Sequence, residues 1–241
     1  MSASPEKRGA FDKRAVLRQH PLFAELDPEV IDRLLVYART KSVATGATIF
    51  ARGDAGTGLF AVCCGTVKIA NHSADGKDAV FNLLGPGDIF GEIALLDGRP
   101  RTANALALTR CELIAIDRRD FIPLVKERPE IALKLIEVLC ARLRHVSEHV
   151  EDILFLNLPG RLAKTLLRLA GTTKPPSRGR KVTITQREIG QIIGMSREST
   201  NKQLREWEQQ NWVRLERGGI TVLAPAELAG IAPLCDAEQV G

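Results

Sequence analysis

The sequence predicts an α+β protein of two domains joined by a long helix. Three patterns indicate this architecture. Short β-branched and apolar runs separated by turn residues fill 40–117, an uninterrupted helical stretch follows Pro129, and a compact helical segment ends in a hairpin pattern before residue 225. The chain has 241 residues, of which 44% are hydrophobic and 26% are charged, so it is long enough for two modest cores.

The net charge of +5 is concentrated in one part of the chain. Residues 1–158 hold 21 basic and 21 acidic side chains, residues 159–224 hold 13 and 5, and residues 225–241 hold none and 3. The three parts therefore carry 0, +8 and −3. A local excess of this size favours a nucleic acid as partner, and a solvated basic surface is the alternative.

The N-terminal part is expected to be a polar tail over 1–20 and a β-rich domain over 21–128. Asp27 can cap a helix that begins at Pro28 and runs to about Tyr37. Turn pairs such as Gly53-Asp54 and Asp97-Gly98 then separate many short runs, which is typical of an antiparallel sandwich or barrel. The predicted strands are 48–50, 59–64, 67–70, 79–84 and 113–116.

A long helix is predicted over 129–157, and at 1.5 Å per residue its length is roughly 40 Å. Its apolar residues step by 4, 3, 4 and 3, which is the spacing of a coiled coil. We therefore expect a parallel homodimer along this helix, and a helix packed on its own domain is the alternative. The residues of this seam are Leu139, Leu143, Val146, Val150 and Ile153.

The C-terminal domain is expected over 158–225, with an acidic tail over 226–241. Pro159 indicates a break after the long helix, because the residue before a proline avoids the helical region. A helix over 160–170 and a loop over 172–181 are predicted next.

Residues 184–212 have the pattern of a helix-turn-helix. Thr185 and Glu188 can form a capping box that begins one helix. Gly194 permits a sharp turn, and Ser196 can cap a second helix. The runs at 213–215 and 220–223 predict a hairpin, which makes the domain a winged helix-turn-helix.

The first turn of the second helix carries side chains that can read base edges in duplex DNA. Arg197 can donate to guanine O6 and N7, and Glu198 can accept from cytosine N4. Lys202 lies about one turn further along the same face. The alternative is that Arg197 is merely solvated and that the negative charge of Glu198 only stabilises the N-terminus of the helix. The candidate DNA-contacting residues are Thr185, Arg187, Ser196, Arg197, Glu198, Ser199 and Lys202.

The segment at 87–103 reads GDIFGEIALLDGRPRTA and contains a second candidate site. The spacing of its glycines does not match a dinucleotide-binding loop. Glu92 can accept from a sugar hydroxyl, while Arg101 with the hydroxyl of Thr102 suits a phosphate anion. The alternative is a surface ion pair between Glu92 and Arg101, which would contribute little.

These motifs, in this order, resemble the CRP/FNR family of bacterial transcription regulators, and more narrowly its cyclic-nucleotide-responsive branch. The resemblance covers about residues 20–224 and includes GDIFGEIALLDGRPRTA, the long helix and EIGQIIGMSRES. It implies a double-stranded β-helix (jelly roll) that binds a cyclic nucleotide over 21–128, a dimerisation helix over 129–157 and a winged helix-turn-helix over 158–225.

The resemblance also implies roles for single residues. Gly91 and Glu92 would contact the ribose 2′-hydroxyl, and Arg101 would hold the cyclic phosphate. The segment RHVSEHV resembles the place where cAMP-binding members offer a Thr-Ser pair to adenine. The implied ligand-binding residues are Gly91, Glu92, Ile93, Arg101, Thr102, Ala103, Val146 and Ser147.

Two departures from the family pattern bear on specificity. Val146 stands where a threonine is usual and cannot accept from adenine N6, whereas Ser147 can. Thr102 lies in an R-T-A context that resembles sites accepting a guanine amino group, so both cAMP and cGMP stay open as effectors. Arg197 and Glu198 match the family and suggest GTGA-like half-sites in a palindromic target, while Lys202 replaces a usual arginine.

Other classes of function have weaker support in the sequence. No cysteine precedes Cys63, which argues against an iron-sulfur sensor. His72 could be a haem ligand, but a structural role is favoured for it. His145 and His149 could bind a metal, but a solvated helix face is favoured for them. We expect no bound metal and no enzyme activity, because no hydrolase or metalloprotease motif is present. A cyclic-nucleotide-binding regulatory subunit without DNA binding is the remaining alternative.

The expected partners and location follow from the same features. No run approaches the ~18 apolar residues of a membrane span, and the N-terminus lacks an apolar signal core, so a cytoplasmic protein is expected. The five cysteines show no disulfide or zinc spacing. RNA polymerase is the further partner that the family resemblance implies.

Overall fold

The computed structural model describes residues 12–72, 78–171, 180–182 and 184–232. The chain divides into two compact units. The first comprises Met1–Asn71 and Phe81–Arg142, and the second comprises His72–Val80 and Leu143–Gly241. Among the described residues, no helix is both long and apolar enough to cross a membrane.

From residue 12, where the described part begins, three helices precede the first strand, so the polar tail expected over 1–20 is wrong for its last residues. They are α1 (Lys13–Arg18), α2 (Pro21–Ala24) and α3 (Pro28–Tyr37). Val16 and Leu17 of α1 are buried in the core of the first unit, which the polar residues around them obscure in the sequence. The predicted end points of α3 are confirmed, but the Asp27 side chain makes no capping hydrogen bond.

In the described part of the domain, eight strands follow and form two four-stranded sheets, which confirms the predicted antiparallel sandwich or barrel. The sheets have the orders β1-β8-β3-β6 and β2-β7-β4-β5. The pairs β1–β8, β3–β8, β3–β6, β2–β7 and β4–β7 are antiparallel. The strands are β1 (Arg39–Val43), β2 (Thr48–Phe50), β3 (Gly58–Cys64), β4 (Val67–His72), β5 (Asp78–Leu84), β6 (Ile89–Phe90), β7 (Asn104–Ala107) and β8 (Cys111–Asp117).

The strands β1, β6 and β7 were not among those predicted from the sequence. Four of the five residues of β1 are exposed, β6 has only two residues, and β7 reads NALA, a sequence of low β propensity. Pairing with neighbours that are distant in sequence therefore decides their conformation. For example, β1 pairs with β8 along its full length, from Arg39 opposite Ala115 to Val43 opposite Cys111.

Apolar side chains from the two sheets meet in one core, and a second core lies between strands and helices. The first contains Ile49 of β2, Leu113 of β8 and Phe90 of β6. The second contains Leu59 and Ile116 together with residues of the helices before, between and after the strands. These helices include α4 (Glu92–Asp97) and α5 (Arg118–Glu127).

The long helix α6 spans Pro129–Phe155, close to its predicted extent. Its N-terminal residues Ile131, Leu135 and Val138 are buried. Further along, the seam residues Leu143, Val146, Val150 and Ile153 are 49–67% exposed. Their apolar face is therefore not covered by the described part of the same chain, which counts against a helix packed wholly on its own domain.

The second unit continues with a three-stranded sheet and four helices among its described residues after α6. They are α7 (Leu158–Leu169), β9 (Arg180–Val182), α8 (Gln186–Ile193), α9 (Arg197–Gln209), β10 (Val213–Glu216), β11 (Gly219–Val222) and α10 (Pro225–Ile231). The sheet has the order β10-β11-β9, so the hairpin predicted as a wing is confirmed.

Three predicted boundaries in this unit differ from the structure. α7 begins before Gly160, because Asn157 caps it and Pro159 fits its first turn. Arg180 and Lys181, expected in a loop, belong to β9 and pair with β11, and residues 172–179 lie outside the described part. The acidic tail expected from residue 226 begins instead with α10, whose Leu228 is fully buried.

Candidate effector pocket and nucleic-acid interface

A tight turn between β6 and α4 forms one side of the candidate effector site. Gly91 lies there with φ +85°, a conformation that favours glycine. A side chain at this position would bring its Cβ to 2.6 Å from Nη1 of Arg101 and 3.2 Å from the carbonyl oxygen of Gly58. Glycine therefore allows the backbone to approach the arginine closely.

Arg101 is buried, with 4% of its surface exposed. Nη1 donates to the carbonyl oxygen of Gly91 at 2.7 Å, and Nη2 donates to that of Gly58 at 2.6 Å. Nε is also buried and has no hydrogen-bond partner among the described residues. Burial lowers the pKa of Arg101, while the nearby Glu92 and Asp54 carboxylates act in the opposite direction.

Glu92 lies in the first turn of α4 and is 1% exposed. Its Oε1 pairs with Nη1 of Arg142 on α6, and Nη2 of the same arginine donates to the carbonyl oxygen of Ile89 at 2.7 Å. Oε2 of Glu92 is buried without a partner among the described residues. The alternative of a surface pair between Glu92 and Arg101 is therefore wrong, since both residues are buried.

Arg142 is a residue of this site that the sequence analysis missed. It stands 50 positions from Glu92 in the chain, and no local pattern connects the two. The sequence offers one weak signal for a role of Arg142. It lies on the long helix beside Leu143 but is not one of the apolar residues of the seam.

The remaining sequence-predicted residues differ in their surroundings. Ala103 is buried, Thr102 and Ile93 are exposed, and the carbonyl oxygen of Thr102 accepts from Nδ2 of Asn71 at 3.1 Å. On α6, Val146 is exposed, and the hydroxyl of Ser147 donates to the carbonyl oxygen of Leu143 at 3.1 Å. The structure thus brings Gly91, Glu92 and Arg101 together in the first unit.

The sequence favours a solvated helix face for the histidines of α6, and the structure contradicts this prediction. His145 and His149 are partly buried against α7, where Arg168 contacts His145 through its guanidinium group. Burial and then the charge of Arg168 lower the pKa of both imidazoles. Lys164 pairs with Asp152 at 2.6 Å beside them. No group of three or more metal-ligating side chains is present in the described ranges.

The helix-turn-helix is built by the local signals that predicted it. The Thr185 hydroxyl accepts from the Glu188 backbone N–H at 3.2 Å, and Glu188 accepts from the Thr185 backbone N–H at 2.8 Å. Gly194 ends α8 with φ +71°. Ser196 then caps α9 by accepting from the backbone N–H of Ser199 at 3.1 Å.

The recognition helix α9 buries one face and exposes the other. Thr200, Leu204 and Trp207 are buried, whereas Arg197, Glu198 and Lys202 are exposed. The outward residues therefore occupy the face that can meet a major groove. Arg187 and Thr185 are exposed at the start of the preceding helix, and Ser196 is exposed and Ser199 partly exposed at the start of α9.

A hydrogen bond links the wing to the recognition helix, and further polar contacts lie within the sheet that contains the wing. Glu208 of α9 accepts from the backbone N–H of Leu215 in β10 at 2.8 Å. Glu216 pairs with Lys181 of β9 at 2.6 Å and accepts from the Thr221 hydroxyl at 2.9 Å. These two bonds lower the pKa of Glu216.

Comparison with known proteins assigns a class to both parts. Residues 40–128 match the family model of the cyclic nucleotide-binding domain, and residues 160–231 match that of the Crp-like helix-turn-helix domain. The fold and the exposed recognition helix thus define a two-domain transcription regulator, which is not an enzyme class. The chain belongs to the CRP/FNR family of transcription regulators, in its cyclic-nucleotide-responsive branch.

Individual relatives align with most of this chain. The CRP-like cAMP-activated global transcriptional regulator of Mycobacterium tuberculosis is 34% identical over 217 residues, which are 89% of this chain and 97% of that protein. The structure of the Thermus thermophilus catabolite activator protein is 33% identical, with a TM-score of 0.51 over 88% of this chain and 98% of that one. The c-di-GMP-responsive regulator CLP of Xanthomonas campestris shares the fold, with a TM-score of 0.70 at 22% identity over 82% of this chain and 99% of that one.

Proposed function

We propose that this protein is a homodimeric regulator whose affinity for a specific DNA sequence is switched on by a 3′,5′-cyclic purine nucleotide, and that the nucleotide is cAMP. The observation that carries the proposal is the buried Arg101, whose Nε has no hydrogen-bond partner among the described residues. The nearby Glu92 is also buried, and its Oε2 likewise has no partner among them.

These two atoms match two of the polar groups of a cyclic nucleotide, its phosphate and its ribose 2′-hydroxyl. A buried guanidinium is unfavourable unless an anion or several acceptors compensate it, and its two hydrogen bonds go to neutral carbonyl groups. A phosphate oxygen accepting from Nε would place a negative charge in direct hydrogen-bond contact with the guanidinium group. A ribose hydroxyl donating to Oε2 of Glu92 would satisfy the second atom. The residues present therefore fit the group that the family model implies.

The base is proposed to interact with the hydroxyl of Ser147 on α6. In this structure, that hydroxyl is bonded within its own helix, so the contact with a base would replace the bond to Leu143. Relatives such as the 34% identical regulator of Mycobacterium tuberculosis, named as cAMP-activated, favour cAMP. The R-T-A context of Thr102 makes cGMP the competing ligand in the test.

The homodimer is proposed to form along α6. A monomer would leave Leu143, Val146, Val150 and Ile153 in contact with water. Burying this face against a second copy is the coiled-coil solution to such a seam. A dimer would also supply two recognition helices, one for each half-site of a palindrome, and such half-sites lie about 34 Å apart.

On the DNA, Arg197 and Glu198 are proposed to read GTGA-like half-sites, with Lys202 contributing less discrimination than a guanidinium fork would. Nucleotide binding changes DNA affinity only to the extent that the ligand binds the DNA-competent dimer more tightly. RNA polymerase is the proposed protein partner of the DNA-bound dimer.

Calorimetry followed by DNA binding tests the proposal. The full-length protein is titrated with cAMP, cGMP and c-di-GMP, and its affinity for a palindromic duplex is then measured with and without each nucleotide. We expect cAMP to bind most tightly and to raise DNA affinity. Arg101→Gln is expected to remove the nucleotide response, and Arg197→Ala to weaken discrimination by about 1–3 kcal/mol per half-site while leaving nucleotide binding unchanged.

The outcomes separate the rival functions. Nucleotide binding without any DNA binding would support a regulatory subunit of another class. DNA binding that no nucleotide changes would contradict the switch but leave the DNA-binding function intact. If cGMP or c-di-GMP binds more tightly than cAMP, the proposal that cAMP is the effector is wrong and the tighter-binding nucleotide takes its place.

A further inference from the structure

The guanidinium group of Arg101 lies on an aromatic ring. Its central carbon is 4.3 Å from the ring centroid of Phe50 and 5.8 Å from that of Phe60. Its two Nη atoms donate to the carbonyl oxygens of Gly91 and Gly58. Two hydrogen bonds and one aromatic face therefore hold the plane of the guanidinium group. Nε remains as a buried donor that has no hydrogen-bond partner among the described residues.

A β-bulge explains why Phe50 is available for this contact. In the pairing of β2 with β7, Thr48 lies opposite Leu106 and Phe50 lies opposite Ala105, so two steps along β2 match one step along β7. Side chains of a regular strand alternate between its faces, yet the consecutive residues Ile49 and Phe50 both pack on the same core. Bulges next to functional sites commonly redirect a side chain in this way.

Backbone hydrogen bonds keep the ring and the guanidinium together. The backbone N–H of Arg101 donates to the carbonyl oxygen of Asp54 at 2.8 Å, and that of Gly53 donates to the carbonyl oxygen of Arg101 at 2.9 Å. Residues 53 and 54 lie three and four positions after Phe50, the last residue of β2. The loop that carries the arginine is thus tied to the strand that carries the ring.

Two further rings fix the orientation of Phe50. Its centroid is 5.9 Å from that of Phe60 and 5.8 Å from that of Phe90, and the latter two rings are stacked at 5.2 Å. The three phenylalanines come from β2, β3 and β6 and so join the two sheets. Phe50 cannot tilt freely without disturbing this cluster.

We infer that Phe50 is a positioning residue for the effector site: its ring holds the plane of Arg101 so that Nε stays directed at the anionic group of the nucleotide. This inference rests on the proposed function of Arg101. An aromatic face stabilises a cation through its quadrupole and uses none of its N–H donors. A carboxylate in the same place would neutralise the charge and occupy the donors that the phosphate needs.

The test compares Phe50→Leu and Phe50→Tyr in the full-length protein by calorimetry with cAMP. We expect Phe50→Leu to weaken binding by about threefold to thirtyfold, the range of a partly desolvated cation–π contact. Phe50→Tyr keeps the ring and is expected to retain most of the affinity. Phe121→Leu is the control, because it removes a fully buried ring from the other core and is expected to lower stability without changing affinity.

An NMR measurement gives a readout that a purely structural role would not produce. The Arg101 Nε–H signal, identified by its loss in Arg101→Gln, is expected to carry a ring-current shift that disappears in Phe50→Leu and persists in Phe50→Tyr. If Phe50→Leu binds cAMP as tightly as the wild type, or Phe50→Tyr loses as much affinity as Phe50→Leu, the positioning role is wrong and the proposed function stands. If the wild type binds no cyclic nucleotide, the proposed function fails and the inference fails with it.

Discussion

Replacing Arg142 by methionine is expected to destabilise the β domain by about 3 kcal/mol. The side chain of Glu92 is 2% exposed, and Arg142 is the cation bonded to its Oε1. Methionine has a similar length and no charge, so the variant leaves a buried carboxylate without its partner. Removing one member of a buried ion pair typically costs about 3–5 kcal/mol. We expect the lower end, because the Arg142 side chain is 34% exposed and water can reach the vacated position.

A double-mutant cycle isolates this effect from other consequences of losing the arginine. Glu92→Gln removes the charge that needs compensation, so the double variant Glu92→Gln/Arg142→Met is expected to recover most of the lost stability. The coupling between the two positions should then reach about 2 kcal/mol or more. Arg144→Met is the matched control, since Arg144 is exposed on the same helix, and its effect should stay within about 0.5 kcal/mol.

Urea unfolding followed by far-UV circular dichroism is the appropriate assay. Both tryptophans, Trp207 and Trp212, belong to the DNA-binding unit, so tryptophan fluorescence reports that unit and not the β domain. Protein concentration is held constant, because dimerisation contributes to the apparent stability. The reasoning is refuted if Arg142→Met is no less stable than Arg144→Met, or if the double variant is as unstable as the single one.

Two further predictions concern pH and assembly. Burial, and secondarily the charge of Arg142, lowers the pKa of His20 from 6.5 to about 4. Between these two pH values the unfolded chain binds more protons than the folded protein does. The free energy of unfolding should therefore fall by about 3 kcal/mol as the pH drops through that window. His20→Asn, which can keep the cap on α2, should flatten this part of the urea-derived profile relative to wild type; an unchanged slope would contradict the assignment. Val150→Asp should shift sedimentation from dimer towards monomer while Glu151→Ala does not, and a stable dimer in both variants would exclude the seam.

The elements that the sequence predicted well are those whose signals are local. Thr185 and Glu188 are three residues apart, and the capping box that they form needs nothing beyond one helical turn. Gly194 and Ser196 likewise act on their immediate neighbours. The extent of α6 follows from the spacing of apolar residues and from the prolines at 129 and 159. Helix caps and helical periodicity are properties of a short segment, so a single sequence contains them.

The elements that the sequence did not predict depend on contacts with residues that are distant in the chain. β1 is a strand because β8 lies beside it, and α1 is a helix whose Leu17 finds a core formed by later residues. α10 packs through Leu228 although its surroundings read as an acidic tail. In each case the free energy comes from tertiary burial and pairing, which overrides weak local propensity.

The candidate effector site shows the same division. The sequence by itself determined which residue types could hold a nucleotide, since Gly91, Glu92 and Arg101 lie within one short motif. Only the tertiary structure decided that Arg142 compensates Glu92 and that a bulge in β2 places Phe50 under Arg101. Those contacts join residues about 50 positions apart, and they exist only because folding brings buried charges and rings to one place where each must find a partner.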